Sequence, residues 1–185
     1  MSSQTASSLS VEKKPAPFTA EEWLHLTLGK AYFWYFLDNV FVRSFDGERY
    51  RNNEGEWVPF EFSAVHREWA LIAQVNPRFC IQASRSHLKT TVIGQGFPFW
   101  LMAGVKDGEY LDGLYLAYNG ALAKERVADL KRYILGNSYC RFWKDLKPTA
   151  ESIIDFLVDW GDGPVGRVVL KGAGIKAANR GRHPK

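Results

Sequence analysis

The residues best suited to chemistry lie in one short stretch, Ala83-Ser84-Arg85-Ser86-His87-Leu88-Lys89-Thr90-Thr91. A lysine followed by a hydroxyl residue, opening a helix after a loop fed by a strand, is the arrangement that grips a triphosphate. Backbone amides and the helix dipole hold the phosphate oxygens, the ammonium offsets their charge, and the hydroxyl ligates Mg²⁺. Lys89 and Thr90 supply that last pair, while Ala83 and Leu88 stand where the pattern ordinarily has glycine. Phe79-Cys80-Ile81-Gln82-Ala83 reads as the feeding strand, and the helix is expected from Leu88 towards Met102. The competing reading is a surface loop in which Lys89 is merely an early helix cation.

Other chemistries find less support. His25, His66, His87 and His183 are scattered, with no paired cysteine or carboxylate at ligand spacing, so no zinc site is predicted. Cys80 and Cys140 lack a nucleophile's context and read as reduced core residues. No Gly-x-Ser-x-Gly elbow occurs, and Gly104 to Gly113 lacks the strand that a dinucleotide fingerprint needs. The tryptophans read by default as core.

The elements that must position this loop follow from pattern. The chain has 185 residues, room for one domain and a small appendage. With 7 Trp, 8 Tyr and 12 Phe, most of it can bury enough surface to fold. A net charge of +4 is too small to argue for nucleic acid or membrane by itself. No leader pattern opens the chain and no apolar run reaches about 18 residues, so neither secretion nor membrane spanning is expected.

Residues 1–17 read as a disordered lead-in, and Thr19 to Glu22 as a capping box. Trp23 to Leu37 is helical by spacing, Val40 to Phe45 alternates like a strand turned by Asp46-Gly47, and Asn52 to Gly55 is a polar loop. Phe62 to Gln74 reads as a helix stopped by Asn76-Pro77. Leu114 to Tyr118 reads as a buried strand after an Asp112-Gly113 turn. Ala123, Val127, Leu130 and Ile134 form a helical stripe, and Asn137 to Lys147 reads as irregular. Ile154 to Trp160 and Val165 to Leu170 form a hairpin about Gly161 to Pro164, ahead of an acid-free basic tail. Strands separated by helices of this length predict an α/β domain with a parallel sheet.

Ser84-Arg85-Ser86-His87-Leu88-Lys89-Thr90-Thr91-Val92 resembles the deviant phosphate loop of the large terminase subunits, the DNA-packaging ATPases of tailed phages. Phe62 to Trp69 looks like that family's adenine-recognition segment. Gly113 to Asn119 with Ala121 to Glu125 is similar to its second strand and helix, and Gly172 to Gly181 to the segment before its acidic Walker B strand. The resemblance runs from Val58 to Lys185.

It implies a three-layer, mostly parallel P-loop NTPase core over 58–185, incomplete at its C-terminal end, preceded by a helical and short-strand appendage over 18–57. ATP and Mg²⁺ are the implied cofactors. Lys89 would contact the β/γ-phosphates, Thr90 would ligate Mg²⁺, Arg85 would lie near the γ-phosphate, and His66 would face the adenine edge. Ser84, Ser86, His87, Leu88 and Thr91 complete the implied nucleotide site, and Arg180-Gly181 matches a recurrent family pair. The implied partners are double-stranded DNA, a portal, a small terminase subunit and further copies of the chain, with no membrane. The implied setting is the host cytoplasm, at the capsid portal.

In the family an apolar strand carrying the metal-positioning Asp and the water-activating Glu would follow Lys185, so this stretch alone is expected to hydrolyse ATP poorly. Two alternatives stand beside it. One is a non-catalytic nucleic-acid-binding or assembly module with a degenerate loop. The other is a helicase-type ATPase using Asp159, at the end of Phe156-Leu157-Val158, as its metal acid.

Overall fold

The computed structural model describes residues 18–45, 49–51, 54–84, 87–105, 109–144, 153–158 and 166–174. The lead-in, Arg85, Ser86, the hairpin turn with Asp159 and Asp162, and the tail with Arg180 and Gly181 lie outside them.

The predicted capping box forms: Glu22 accepts the Thr19 N–H at 2.8 Å, and Thr19 Oγ1 accepts the Glu22 N–H at 3.2 Å. It opens α1 (Ala20–Ala31), followed by α2 (Phe33–Asn39). The sequence predicts one helix here, but Tyr32 is extended, and the Phe33 N–H is taken by the Gln74 side chain at 2.8 Å. The strand expected over Val40 to Phe45 is instead a 3₁₀ turn, Phe41–Phe45. Its two phenylalanines, four apart, are both buried and meet edge to face at 5.3 Å.

A small antiparallel pair follows, β1 (Arg49–Arg51) with β2 (Trp57–Pro59), then α3 (Ala64–Val75). The strand expected at Phe79 to Ala83 does not form: residues 79–84 carry no regular structure and pair with no strand. Cys80 is accordingly exposed rather than core, and Cys140 is half-buried. Beyond the loop, a π-helix (Thr90–Gly96) runs directly into α4 (Phe97–Ala103).

β3 (Tyr110–Ala117) starts earlier than its apolar run suggests. Asp112-Gly113 lies within it rather than turning, paired with Val169 and Leu170 of the neighbouring strand, and a Cβ on Gly113 would come within 2.8 Å of Leu170 Cδ1. Asn119 caps α5 (Gly120–Gly136) through the Leu122 N–H at 2.7 Å. The predicted stripe Ala123, Val127, Leu130 and Ile134 is wholly buried. β4 (Trp143–Lys144), β5 (Ile153–Val158) and β6 (Gly166–Gly174) complete the sheet.

The result is an α/β fold with an open, mixed sheet in the order β3-β6-β5-β4. β3 and β6 are parallel, while β5 pairs antiparallel with both β6 and β4, so the sheet is mixed rather than mostly parallel as expected: β5 joins β6 as a hairpin strand and not through a helical crossover. α5 packs on one sheet face. On the other, Tyr110, Leu114 and Leu116 of β3 are exposed. Phe33, Phe36, Phe41, Phe99, Leu130, Ile154 and Val168 belong to one continuous core, so the N-terminal helices and the sheet share a single interior. Of the tryptophans, Trp143 is buried, whereas Trp23 is exposed. No described helix is long and apolar enough to cross a membrane.

Candidate functional site

The site is built from the start of α3 and the loop that leads into the π-helix. His66 occupies the first turn of α3, three residues after the cap Ser63, and is 7% exposed. Its ring stands edge-on to Phe62 and Trp69, with centroids 5.9 and 5.4 Å away. Nδ1 accepts the Ser63 N–H at 3.0 Å. Nε2 lies 3.3 Å from the His87 carbonyl, which can only accept. Both bonds are satisfied by one species, the neutral ring with its proton on Nε2. Burial pushes the His66 pKa below its ordinary value; the bond to His87 opposes that shift, and the His87 charge reinforces it.

The loop is closed end to end. Lys89 Nζ donates to the Ala83 carbonyl at 2.6 Å, so the half-buried lysine turns back across the loop rather than out into solvent. Within it, Ser84 Oγ and His87 Nδ1 are 2.8 Å apart. Leu88, between His87 and Lys89, has a φ of 52° and is the only non-glycine residue with positive φ among those described. The left-handed region costs an L-residue about 1–2 kcal/mol. It is the conformation glycine adopts freely, and Leu88 stands where the phosphate-loop pattern has glycine.

Past Leu88 the chain enters the π-helix, its Val92 N–H reaching the Leu88 carbonyl at 2.8 Å. Thr90 is exposed and Thr91 half-buried at its start. Gly94 admits Tyr115 of β3, whose hydroxyl would sit 3.0 Å from a Cβ there. Gln95 is 2% exposed; its Nε2 donates to the Arg126 carbonyl of α5 at 3.1 Å, while Oε1 has no partner among the described residues. Wide helical turns of this kind recur at functional sites.

Of the sequence-predicted residues, His66, Ser84, His87, Leu88 and Lys89 come together, and Thr90 and Thr91 follow in the helix. Arg85 and Ser86 lie outside the described residues. Lys89, Ser84 and His87 offer the donors an anion needs. A magnesium ion takes six oxygens in octahedral array, usually with carboxylate or phosphate among them. Among the described residues no group of three His, Cys, Asp or Glu gathers, so the metal set is not completed by them.

Sequence reasoning missed the pairing of His66 with Ser63. The Ser-x-x-His spacing was its signal, since it matches a capping box with histidine in place of the usual Glu or Gln. It also missed a cleft of about 150 Å³ lined by Asp38, Val42, Phe60, Glu61, Phe62 and Arg67. There Arg67 Nε meets Asp38 at 2.8 Å, and burial holds the Asp38 pKa above its ordinary value despite that cation.

Structurally the chain is an α/β protein with a four-stranded mixed sheet and a lysine-closed loop leading into a helix. Compared with family models, with curated proteins and with solved structures, it matches none.

Proposed function

We propose that this chain is the ATP-binding part of a DNA-packaging motor of the large-terminase kind, coupling ATP hydrolysis to translocation of double-stranded DNA into a capsid. The observation that carries the reading is the Lys89 ammonium, folded 2.6 Å from the Ala83 carbonyl across a loop that opens a helix bearing Thr90. A triphosphate entering that loop takes over the ammonium from a neutral carbonyl, replacing a bond whose donor alone is charged by a stronger one between two charged groups. The left-handed Leu88 and the parallel β3–β6 pair under α5 also support the reading.

Within this proposal the fold is the front of a three-layer P-loop core. Lys89 would contact the β/γ-phosphates, Arg85 would stabilise charge at the γ-phosphate, and Thr90 would supply one oxygen to a Mg²⁺ that offsets phosphate charge. Portal, small subunit and further copies of the chain are the partners it calls for.

Calorimetry with a non-hydrolysable ATP analogue tests it. Wild type is expected to bind weakly, and Lys89→Ala to lose about tenfold or more, the worth of one charge-assisted hydrogen bond. An affinity that Lys89→Ala leaves unchanged overturns the reading.

A non-catalytic nucleic-acid-binding or assembly module with a degenerate loop is the second reading. It is favoured by one observation, that residues 79–84 feed the loop without a strand. Double-stranded DNA binding that survives Lys89→Ala, with no nucleotide binding by wild type, selects it.

A further inference from the structure

The backbone on either side of Leu88 is pinned twice. The His87 carbonyl is held by His66 Nε2 at 3.3 Å, and the Leu88 carbonyl by the Val92 N–H at 2.8 Å. A residue stays in a costly conformation only where its surroundings over-determine it. Leu88, with φ at 52°, is such a residue, and the two pinned carbonyls belong to the two peptide units that define its rotation. In a trans peptide the carbonyl and the following N–H point in opposite directions. Holding the His87 carbonyl against α3 therefore turns the Leu88 N–H to the side away from that helix.

We propose that His66 is a positioning residue of the phosphate loop: its Nε2–H anchors the His87 carbonyl to α3 and thereby fixes the left-handed turn at Leu88. This rests on the phosphate-binding reading of the loop. It assigns His66 a role other than base recognition, since both of its ring nitrogens are engaged within the protein. Trp69 and Phe62 hold the ring edge-on, so the anchor is set by packing as well as by hydrogen bonds.

Two probes separate positioning from base reading: a non-hydrolysable ATP analogue, and inorganic tripolyphosphate, which has no base. Calorimetry is run on the full chain as wild type, His66→Asn, His66→Gln and Lys89→Ala. Glutamine places an amide donor near the position of Nε2, whereas asparagine reaches only the Ser63 side. His66→Asn is expected to weaken both probes alike, by about tenfold, and His66→Gln to restore both to within about threefold.

Loss confined to the ATP analogue overturns the proposal in favour of base recognition, and loss of neither overturns it outright. If Lys89→Ala costs nothing, the phosphate-loop reading itself falls. If Lys89→Ala abolishes binding while His66→Asn binds as wild type, only the role of His66 falls. A measurement on wild type needs no folded variant: the His66 Nε2 resonance, followed by ¹⁵N NMR, is expected to shift on saturation with tripolyphosphate. A resonance that stays in place under saturation overturns the anchor.

Discussion

Gly174 of β6 and Gly120 of α5 are in backbone contact: a Cβ on Gly174 would come 2.5 Å from the Gly120 amide nitrogen and 2.8 Å from the Asn119 carbonyl carbon. The relationship is not symmetric. A Cβ on Gly120 would find its nearest neighbour, the Gly174 nitrogen, at 3.9 Å, an ordinary contact. Gly174→Ala is thus expected to destabilise by about 2 kcal/mol, because backbone rather than a flexible side chain must move. Gly120→Ala is expected to stabilise by up to about 1 kcal/mol through helix propensity. Urea midpoints of the two variants check the opposite signs, and equal shifts in one direction contradict this account of the contact.

How much of this was legible in the sequence depends on how local each cause is. The cap at Thr19 and Glu22, the α5 stripe and the β5–β6 hairpin rest on neighbours within a few residues, and all three form. Val40 to Phe45 misled because alternation and a four-residue repeat coexist there; burial of both Phe41 and Phe45 decided for the turn. Asp112-Gly113 misled because the strand that pairs with it, at Val169 and Leu170, is far along the chain. At the candidate site, Lys89 and Thr90 could be picked out by type, and His66 only through the family resemblance. Their arrangement could not, since Lys89 bonds a backbone carbonyl and His66 another, and carbonyls carry no sequence signal. The missing strand at 79–83 has the same origin: an apolar run states a preference, and only a paired neighbour makes it a strand.

The strain at Leu88 has a measurable sign. In most positions alanine is more favourable than glycine, because glycine loses more chain entropy on folding. At a φ of 52° the order reverses. Leu88→Ala and Leu88→Gly both remove the same half-buried side chain, so their difference isolates the backbone. Leu88→Gly is expected to be the more stable by about 1 kcal/mol. Chemical denaturation of the pair decides it, and the ordinary order would mean that Leu88 is not left-handed in solution.

Stability is also expected to depend on pH through His66. Its folded pKa lies below the ordinary value of about 6.5, chiefly through burial. As pH falls through that ordinary value, the unfolded chain takes up the proton first. The stabilisation is complete above about pH 6.5 and is lost progressively below it, until the folded pKa is reached. The stability advantage of wild type over His66→Gln should therefore shrink between about pH 7 and pH 5. An advantage that is flat over this range would mean that His66 is not buried in the neutral form.

Asn137 ties the end of α5 to the N-terminal helices, and its replacement separates packing from hydrogen bonding. It is 1% exposed. Its Nδ2 donates to the Val40 carbonyl at 2.7 Å and to Ser44 Oγ at 2.8 Å, while Oδ1 accepts the Tyr139 N–H at 2.9 Å. The Val40 carbonyl keeps a second donor, the Arg43 N–H at 3.1 Å, so the group orphaned by Asn137→Ala is chiefly the Tyr139 amide. One orphaned buried amide plus the lost contacts amounts to about 2–3 kcal/mol. Asn137→Asp keeps the acceptor for Tyr139 but sets a carboxylate against the Val40 carbonyl. At neutral pH it should be at least as damaging as alanine. Burial and that carbonyl raise its pKa in the folded state, so its stability should recover as pH falls and the carboxyl regains a donor proton. Denaturation of Asn137→Asp at pH 7 and at about pH 5 tests the sign, and a variant that weakens further on acidification would show that the side chain has left its pocket.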